Sequence, residues 1–474
     1  MDYSRLDARV EELREELLAD LKRWIAIPSV LGEAAPNAPF GLETRRMLDL
    51  ALETARGYGF EAREFDGYCG DVSLGSGEET MGILAHLDVV PLGDGWTHDP
   101  LGAEIVDGRV YGRGAIDDKG PALAALYAMR AVRDAQIPLK DGVRLILGCD
   151  EETGMQDMRH YASVNKMPDY GFSPDAEFPV INIEKGGLGI RLSRNTEGED
   201  GAELPVYSLY AGVRPNVVPG VATAEIGLNG LTLEALQEKL NAINAAHEKF
   251  DVIAERLENG NARITATGVS AHASLPHLGV NAAGMLLIAL KELGAGGGSK
   301  ETIACLADTL GLEGDGKSIG IAVADELSGA LTCNLGILRY DGHLLTARLD
   351  IRYPICADET TMCGQIAMAV SPAHIAVTRM GSHGPLHVPA EHKVVRGLLK
   401  VYHDVTGQPA YPIAIGGGTY SRCMPNTVAF GPVFPGDEDP CHMPDESIEI
   451  DKLMLSVKIM AHAIAELAGG QIAD

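Results

Sequence analysis

Residues 143–154 read VRLILGCDEETG, an apolar run that ends in three consecutive acidic side chains. An uninterrupted apolar run of this length is typical of a strand that is buried on both faces of a parallel sheet. The acids Asp150, Glu151 and Glu152 repel one another by about 4 kcal/mol per close pair at an effective dielectric near 20. This stretch alone leaves two interpretations open: the acids spread into water, or a bound cation holds them together.

A second apolar run, MGILA at residues 81–85, leads into His86-Leu87-Asp88. Side chains two apart on a strand point to the same side, so His86 and Asp88 share a face. A metal-binding imidazole usually donates its other ring N–H to a carboxylate, and Asp88 is placed to accept it. Taken alone, the pair is equally consistent with a histidine at a strand end beside an unrelated surface acid.

Two further acids, Asp117 and Asp118, stand just before a helical pattern in residues 121–135. Acids at the start of a helix cap it and complement its dipole, which explains one of the two but not both. The pattern therefore leaves one acid that needs a different partner.

Another acid, Asp175, follows the short apolar segment YGFS at residues 170–173. Open α/β sheets bind their ligands at the carboxyl ends of the strands, so Asp175, His86 and the acids of residues 150–152 are expected at one edge. A histidine among carboxylates, without a thiolate, suits Zn²⁺, Mn²⁺ or Co²⁺.

Length and composition describe a globular protein of more than one domain. The 474 residues exceed what one hydrophobic core usually supports. The net charge of −28 argues against nucleic acids and anionic membranes as partners, because both require basic surface. Residues 1–5 lack the basic stretch of a signal peptide and no apolar run is long enough for a bilayer, which predicts a cytoplasmic protein. The 8 cysteines form no Cys-x-x-Cys pair, so reduced thiols are expected.

Hydrophobic periodicity predicts helices over residues 4–27 and 42–58. Between about residues 186 and 383 the pattern changes to strands with two long helices. One of these helices is predicted over residues 231–257, and strands are predicted over 261–267 and 343–353. This region is interpreted as an α+β insertion that interrupts the first domain.

Four segments resemble the M20 family of co-catalytic metallopeptidases in their order and spacing. They are AHLD at 85–88, GRGAIDDKG at 112–120, DEETG at 150–154 and SPDA at 173–176. Within that family, FSPDAEFP at 172–179 and GGGTY at 416–420 look most like the bacterial PepV/Sapep-type dipeptidases.

The resemblance implies an α/β fold with a mixed, largely parallel sheet flanked by helices, of the dinuclear-metal exopeptidase type. The catalytic domain is expected in residues 1–185 and 385–474, and an inserted α+β lid domain in residues 186–384. Relatives with an enlarged lid act as monomers, so a monomer is expected here.

The resemblance also implies which residues bind two divalent metal ions. Asp117 would bridge the ions, His86 and Asp175 would complete one site, and Glu152 and His442 the other. Zn²⁺ is the first choice, with Mn²⁺ or Co²⁺ as alternatives.

Two residues next to these ligands receive other roles from the resemblance. Glu151 would be the general base that acts on a metal-activated bridging water, and Asp88 the partner of His86. Asp118 is left with a capping or outer-shell role.

Substrate contacts are also assigned by resemblance. His272, in GVSAHASLP at 268–276, matches a lid motif whose histidine would stabilise the oxyanion; the alternative is a histidine that caps a serine-rich turn. Asn216, Arg352, Gly417 and Gly418 are expected to contact the substrate.

These residues predict a metal-dependent dipeptidase that hydrolyses the peptide bond of short free-amino peptides. An N-acyl amino acid amidohydrolase or a carboxypeptidase of the same family is one alternative. A metal-binding or peptide-binding protein without catalysis is the other.

Overall fold

The computed structural model describes residues 2–196 and 203–472, which form two compact units. The first unit comprises Met1–Ile183, His387–Ile413 and Gly418–Asp474, and the second comprises Glu184–Leu386 and Ala414–Gly417. We propose that the second unit is the lid domain predicted for residues 186–384, of which residues 197–202 lie outside the described chain.

The helices of the two units are numbered together in chain order. They are α1 (Ser4–Glu12), α2 (Arg14–Ile25), α3 (Leu42–Gly57), α4 (Lys119–Asp134), α5 (Gln156–Val164), α6 (Leu233–Ala246), α7 (Ala282–Leu293), α8 (Lys300–Thr309), α9 (Glu359–Val370), α10 (Lys393–Thr406) and α11 (Ile450–Leu467).

The strands are numbered in chain order in the same way. They are β1 (Glu61–Phe65), β2 (Cys69–Leu74), β3 (Thr80–His86), β4 (Glu104–Val106), β5 (Arg109–Tyr111), β6 (Gly142–Gly148), β7 (Tyr170–Ser173), β8 (Ala176–Glu177), β9 (Val180–Glu184), β10 (Gly186–Asn195), β11 (Val206–Ala211), β12 (Val221–Ile226), β13 (Val252–Arg256), β14 (Ala262–Thr267), β15 (Ala324–Asp325), β16 (Gly329–Ala330), β17 (Thr332–Tyr340), β18 (Leu344–Tyr353), β19 (Ala376–His383), β20 (Leu386–His387), β21 (Pro412–Ile415), β22 (Thr427–Ala429), β23 (Pro432–Val433) and β24 (Ser447–Glu449).

The first unit is built on a mixed sheet with the strand order β1-β2-β6-β3-β7-β22-β9. Its centre, β6-β3-β7-β22, is parallel, and β1 and β2 extend it antiparallel. Helix α4 packs against β3 and β6. Met158 and Tyr161 of α5 pack in one cluster with Leu84 and Ile146. The predicted fold class is confirmed. Burial of these central strands on both faces accounts for their long apolar runs.

The second unit has an antiparallel sheet in the order β13-β14-β12-β11-β17-β18-β10-β19. Helices α6, α7 and α9 pack against this sheet, and their apolar residues share one core with the inward side chains of the strands. The strand over 343–353 is present as β18, where exposed or half-buried residues alternate with buried ones. This arrangement is the expected α+β insertion.

The helix predicted over residues 231–257 is wrong in its second half. Helix α6 ends at Ala246, and Val252–Arg256 form strand β13, which pairs antiparallel with β14. Glu255 and Arg256 have high helix propensity, but pairing with β14 and burial of Val252 decide the conformation.

The helix predicted over residues 4–27 is interrupted. Helix α1 ends at Glu12, α2 begins at Arg14, and Leu13 lies between them. Leu13 is buried like Val10 and Leu17 on either side of it. The hydrophobic pattern therefore continues through the interruption and does not reveal it.

In the described chain, every helix is too short or too polar to cross a bilayer.

Phe172 tests the packing of the central sheet. Its side chain in β7 is fully buried and meets the ring of Phe430 edge-on, with 5.5 Å between centroids. We expect Phe172→Ala to lower the free energy of unfolding by about 3–5 kcal/mol, because the cavity closes only partly. Denaturant unfolding measures this, with the exposed Val164→Ala in α5 as the control. Equal stability of the two variants would contradict the packing described.

Candidate active site

Five predicted site residues of the first unit, namely His86, Asp88, Glu151, Glu152 and Asp175, lie at or just after the ends of three adjacent parallel strands. Strand β3 ends at His86, β6 ends at Gly148 just before Glu151, and β7 ends at Ser173 just before Asp175. The register of β3 places His86 opposite Gly148. The carboxyl ends of the three strands therefore meet at one edge, as expected for an open α/β sheet.

Asp117 lies between the two histidines. The His86 Nε2 atom is 3.0 Å from Asp117 Oδ1 and 3.7 Å from Asp175 Oδ1. The His442 Nε2 atom is 3.0 Å from Asp117 Oδ2 and 3.1 Å from Glu152 Oε1. Each oxygen of Asp117 thus faces one imidazole, which is the arrangement that a bridging carboxylate requires.

Donor atoms in this region gather within 4.8 Å of one another in three groups. The groups are His86, Asp117 and Glu152; His86, Glu151 and Asp175; and Asp117, Cys441 and His442. All five residues predicted as ligands occur in these groups. The cysteine was not among the predicted ligands.

The tautomer of His86 is fixed by the residue two positions later. The Nδ1–H group is placed to donate to the backbone carbonyl of Asp88 at 2.9 Å, which leaves Nε2 facing Asp117. The carboxylate of Asp88 is farther from Nδ1, at 3.5 Å, and accepts the backbone N–H groups of Glu151 and Glu152, each at 3.2 Å. Asp88 therefore links the strand end of His86 to the acidic loop after β6.

Asp118 does not cap helix α4. Its side chain makes no capping hydrogen bond, and Oδ2 accepts the backbone N–H of His86 at 3.0 Å. Of the two roles predicted for this acid, the outer-shell role agrees with the contacts described.

The charges of the cluster are unbalanced without a cation. Burial raises the pKa of Glu151 well above its ordinary value, and the charge of Asp175 adds to this rise. Burial and the charge of Asp117 raise the pKa of Glu152 to about 7. Although burial lowers it, hydrogen bonds to Asp117 and Glu152 raise the pKa of His442 to about 11. The raised pKa values mean that these groups hold protons more strongly than usual where no cation balances the negative charge. The imidazole and carboxylate donors fit a divalent cation that would supply this positive charge.

Asp157, an acid that sequence analysis did not single out, holds the loop of Glu151 and Glu152. Asp157 is buried, and its Oδ2 accepts the backbone N–H groups of Cys149 at 2.6 Å and Asp150 at 2.8 Å and the hydroxyl of Tyr420. The Tyr420 ring also packs edge-on against His86, with 6.2 Å between centroids. The side-chain role of Asp157 leaves no sequence signal.

Glu446 is a second residue that sequence analysis missed. Its Oε2 pairs with Arg113 Nη1 at 2.6 Å, with both side chains buried. Its Oε1 accepts the backbone N–H groups of Gly114, Ile116 and Asp117 at 2.9–3.3 Å. Glu446 therefore ties the loop of His442 to the loop that presents Asp117. The only sequence signal was its place four residues after His442 in an acid-rich segment.

Four other predicted residues belong to the second unit. His272 and Asn216 are neighbours there: the N–H of Ala273 donates to the Asn216 carbonyl at 2.9 Å, and Val217 forms a β-bridge with His272. The His272 Nδ1 atom lies 2.6 Å from Ser274 Oγ. This contact belongs to the serine-rich turn that was the alternative explanation of His272, so its catalytic role stays a prediction.

Arg352 is held by its own strand. Its Nε and Nη2 atoms donate to the two oxygens of Asp350 at 2.6 and 3.0 Å, and Nη1 donates to the Gly416 carbonyl at 3.3 Å. The guanidinium of Arg352, which is expected to contact the substrate, thus already binds a carboxylate of the protein. Substrate binding by Arg352 stays a prediction.

The two predicted glycines differ in their surroundings. A Cβ atom at Gly417 would have Ile415 Cδ1 as its nearest neighbour, at 3.6 Å. A Cβ atom at Gly418 would meet the guanidinium of Arg422, which is the movable end of a flexible side chain, so packing alone does not require a glycine here. Contact of either glycine with substrate stays a prediction.

Glu446→Gln tests the buried ion pair. Removal of one charge leaves Arg113 buried without its counter-ion, so we expect the free energy of unfolding to fall by about 3–5 kcal/mol. The control is Glu449→Gln in the same segment, where the partly exposed carboxylate lies 3.9 Å from Arg109 and a loss below about 1 kcal/mol is expected. Denaturant unfolding compares the two, and a Glu446→Gln protein as stable as the control would contradict the assigned role.

Comparison with known proteins shows the family of the chain. The model of the peptidase family M20/M25/M40 matches residues 82–466. A protein of Bacillus subtilis (strain 168) named "Putative dipeptidase YtjP" is 38% identical over 98% of this chain and 99% of its own length. The "Beta-Ala-Xaa dipeptidase" of Lactobacillus delbrueckii subsp. lactis is 36% identical over 96% of this chain and 97% of its own length.

A solved structure supports the fold. Human carnosine dipeptidase 1 matches with a TM-score of 0.60 at 15% identity over 99% of both chains. The family predicted from the four motifs is confirmed: the chain belongs to the M20 peptidases and is a metal-dependent hydrolase of peptide bonds.

Proposed function

We propose that this protein is a dipeptidase that binds two divalent metal ions and cleaves short peptides with a free α-amino group. The observation that carries the proposal is the carboxylate of Asp117, whose two oxygens each face one imidazole. Two relatives that match nearly the whole chain carry dipeptidase in their names, which supports the substrate class.

The donor atoms divide into two sets around Asp117. His86 and Asp175 would hold one ion with Asp117 Oδ1, and Glu152 and His442 would hold the other with Asp117 Oδ2. We propose Zn²⁺ as the native ion, since imidazole and carboxylate donors suit it, with Mn²⁺ or Co²⁺ as alternatives. When bound, such ions polarise a substrate carbonyl and make water a nucleophile at neutral pH.

Glu151 is the proposed general base. Its carboxylate lies with those of the first donor set, and its backbone N–H is fixed by Asp88 at 3.2 Å. Burial raises the pKa of this carboxyl above its ordinary value, the direction that suits a base working near neutral pH. Glu151 would accept the proton of the attacking water and deliver it to the amine of the departing residue.

Residues of the second unit and the glycine loop are proposed to recognise the substrate. His272 would donate a hydrogen bond to the oxyanion, with its ring oriented by Ser274. Asn216 is fixed beside His272 by the backbone and would contact the same end of the substrate. Arg352, Gly417 and Gly418 would receive the substrate carboxylate, which for Arg352 requires exchange of its Asp350 partner.

We also propose that the protein acts as a monomer in the cytoplasm. The structure joins none of the described cysteines in a disulfide, as expected in a reducing compartment. Equilibrium sedimentation tests the assembly state, and a tight dimer would contradict it.

Glu151→Gln tests whether Glu151 acts as a general base or as a metal ligand. The amide keeps the size of the side chain but accepts no proton, so we expect kcat to fall about 10²- to 10⁴-fold with the bound metal unchanged. Dipeptide cleavage is followed by amine release and metal content by elemental analysis. The exposed Glu78→Gln is the control and should keep full activity. A metal-loaded, fully active Glu151→Gln protein would contradict the proposed role.

A substrate panel tests the dipeptidase proposal. Chelator-stripped protein is reloaded separately with Zn²⁺, Mn²⁺ and Co²⁺ and given matched dipeptides, tripeptides and N-acyl amino acids. We expect free-amino dipeptides to be cleaved fastest and N-acylated compounds to be left intact. Cleavage of the N-acylated compounds alone would identify an amidohydrolase and overturn the substrate class while leaving the metal site in place.

A further inference from the structure

The loop that carries His442 brings a thiol to the same carboxylate. The Cys441 Sγ atom lies 2.7 Å from Asp117 Oδ2, and the His442 Nε2 atom lies 3.0 Å from that same oxygen. The donor atoms of Cys441, His442 and Asp117 all lie within 4.8 Å of one another. Two consecutive side chains therefore converge on one oxygen of the proposed bridging ligand.

The backbone explains how consecutive side chains converge. His442 has a φ of +64°, in the left-handed region that histidine adopts more readily than most residues. The backbone N–H of Cys441 donates to Asp439 Oδ1 at 2.9 Å, which fixes the turn just before it. In extended chain, neighbouring side chains point to opposite sides, so this turn is what directs both donors towards Asp117.

We propose that Cys441 is an additional ligand of the metal ion held by Asp117, Glu152 and His442. This ion position is then a mixed site of nitrogen, oxygen and sulfur donors, whereas the position at His86 and Asp175 has only nitrogen and oxygen. On binding, a metal–sulfur bond forms and the thiol proton passes to solvent. The inference rests on the proposed dinuclear site and adds a ligand to it.

The added sulfur makes the two positions chemically different. Thiolate donors favour soft and borderline ions such as Zn²⁺ and Cd²⁺, whereas carboxylate and water ligands suit Mn²⁺. The position at His442 should therefore prefer Zn²⁺ or Cd²⁺ over Mn²⁺ more strongly than the position at His86. This preference also gives a physical reason to expect Zn²⁺ as the native ion.

The competing explanation is a thiol that only donates a hydrogen bond to Asp117 and orients it. Such a thiol would stay protonated and would never contact the ion. The two explanations differ in whether a metal–sulfur bond exists, which spectroscopy detects without any measurement of activity.

The test uses Co²⁺ as a spectroscopic probe of the full chain. Stripped wild-type protein, Cys441→Ser and Cys423→Ser are loaded with Co²⁺, the bound metal is quantified, and the near-ultraviolet sulfur-to-cobalt charge-transfer band is recorded. Cys423→Ser is the matched control, because Cys423 is also a partly buried cysteine of the first unit and contacts Met155. We expect the band in wild type and in Cys423→Ser, and its loss in Cys441→Ser.

The outcomes are distinguishable. Two results would contradict ligation by Cys441: wild-type protein that binds Co²⁺ but lacks the charge-transfer band, and Cys441→Ser protein that keeps the band. Neither result would contradict the proposed dinuclear site. Failure of wild type to bind Co²⁺ would overturn the proposed site itself.

Affinity gives a second, independent measurement. Loss of a residue that only contacts a metal ligand typically weakens metal binding by about 10- to 100-fold. Competition with a chromophoric chelator should show that Cys441→Ser weakens Cd²⁺ binding by at least this factor, about 10- to 100-fold. Mn²⁺ binding should change much less. Equal weakening for the two ions would indicate a purely structural effect and contradict direct ligation.

Discussion

The mutual repulsion of the carboxylates gathered around Asp117 is the constraint on which the rest of this structure depends. Glu151, Glu152 and Asp175 follow the ends of parallel strands, and the loop before α4 brings Asp117 to them, where low dielectric strengthens repulsion. Two imidazoles offset part of this charge, and divalent cations would offset the rest. The clustered carboxylates therefore destabilise the folded protein without metal. An ion that binds only the folded state would stabilise it.

A surrounding set of hydrogen bonds keeps these acids in place. Asp88 and Asp157 use their carboxylates to hold the backbone of the loop after β6. Glu446 does the same for the loop of Asp117 and pairs with Arg113. Each of these acids binds backbone N–H groups, which lets negative charge be buried close to more negative charge. The proposed ligands thus depend on residues that lie outside the proposed metal site.

Sequence reasoning went furthest where local pattern and topology agree. His86 and Glu152 follow long apolar strands, so their meeting at one edge follows from the parallel sheet. His442 is far away in the chain and required the family resemblance. Glu446 looks like any other acid in an acid-rich loop until its contacts are seen. The prediction of one helix over residues 231–257 was wrong in its second half, because pairing of β13 with β14 outweighed local helix propensity.

The central claim is that Asp117 is shared by two metal ions, and metal stoichiometry tests it most directly. Equilibrium dialysis of stripped protein against Zn²⁺, followed by elemental analysis, should give two tightly bound ions per chain. His442→Ala should retain one ion, because His86 and Asp175 still complete the first set, and Asp117→Ala should retain neither tightly. A single ion in the wild-type protein, or two tight ions after loss of Asp117, would contradict the account.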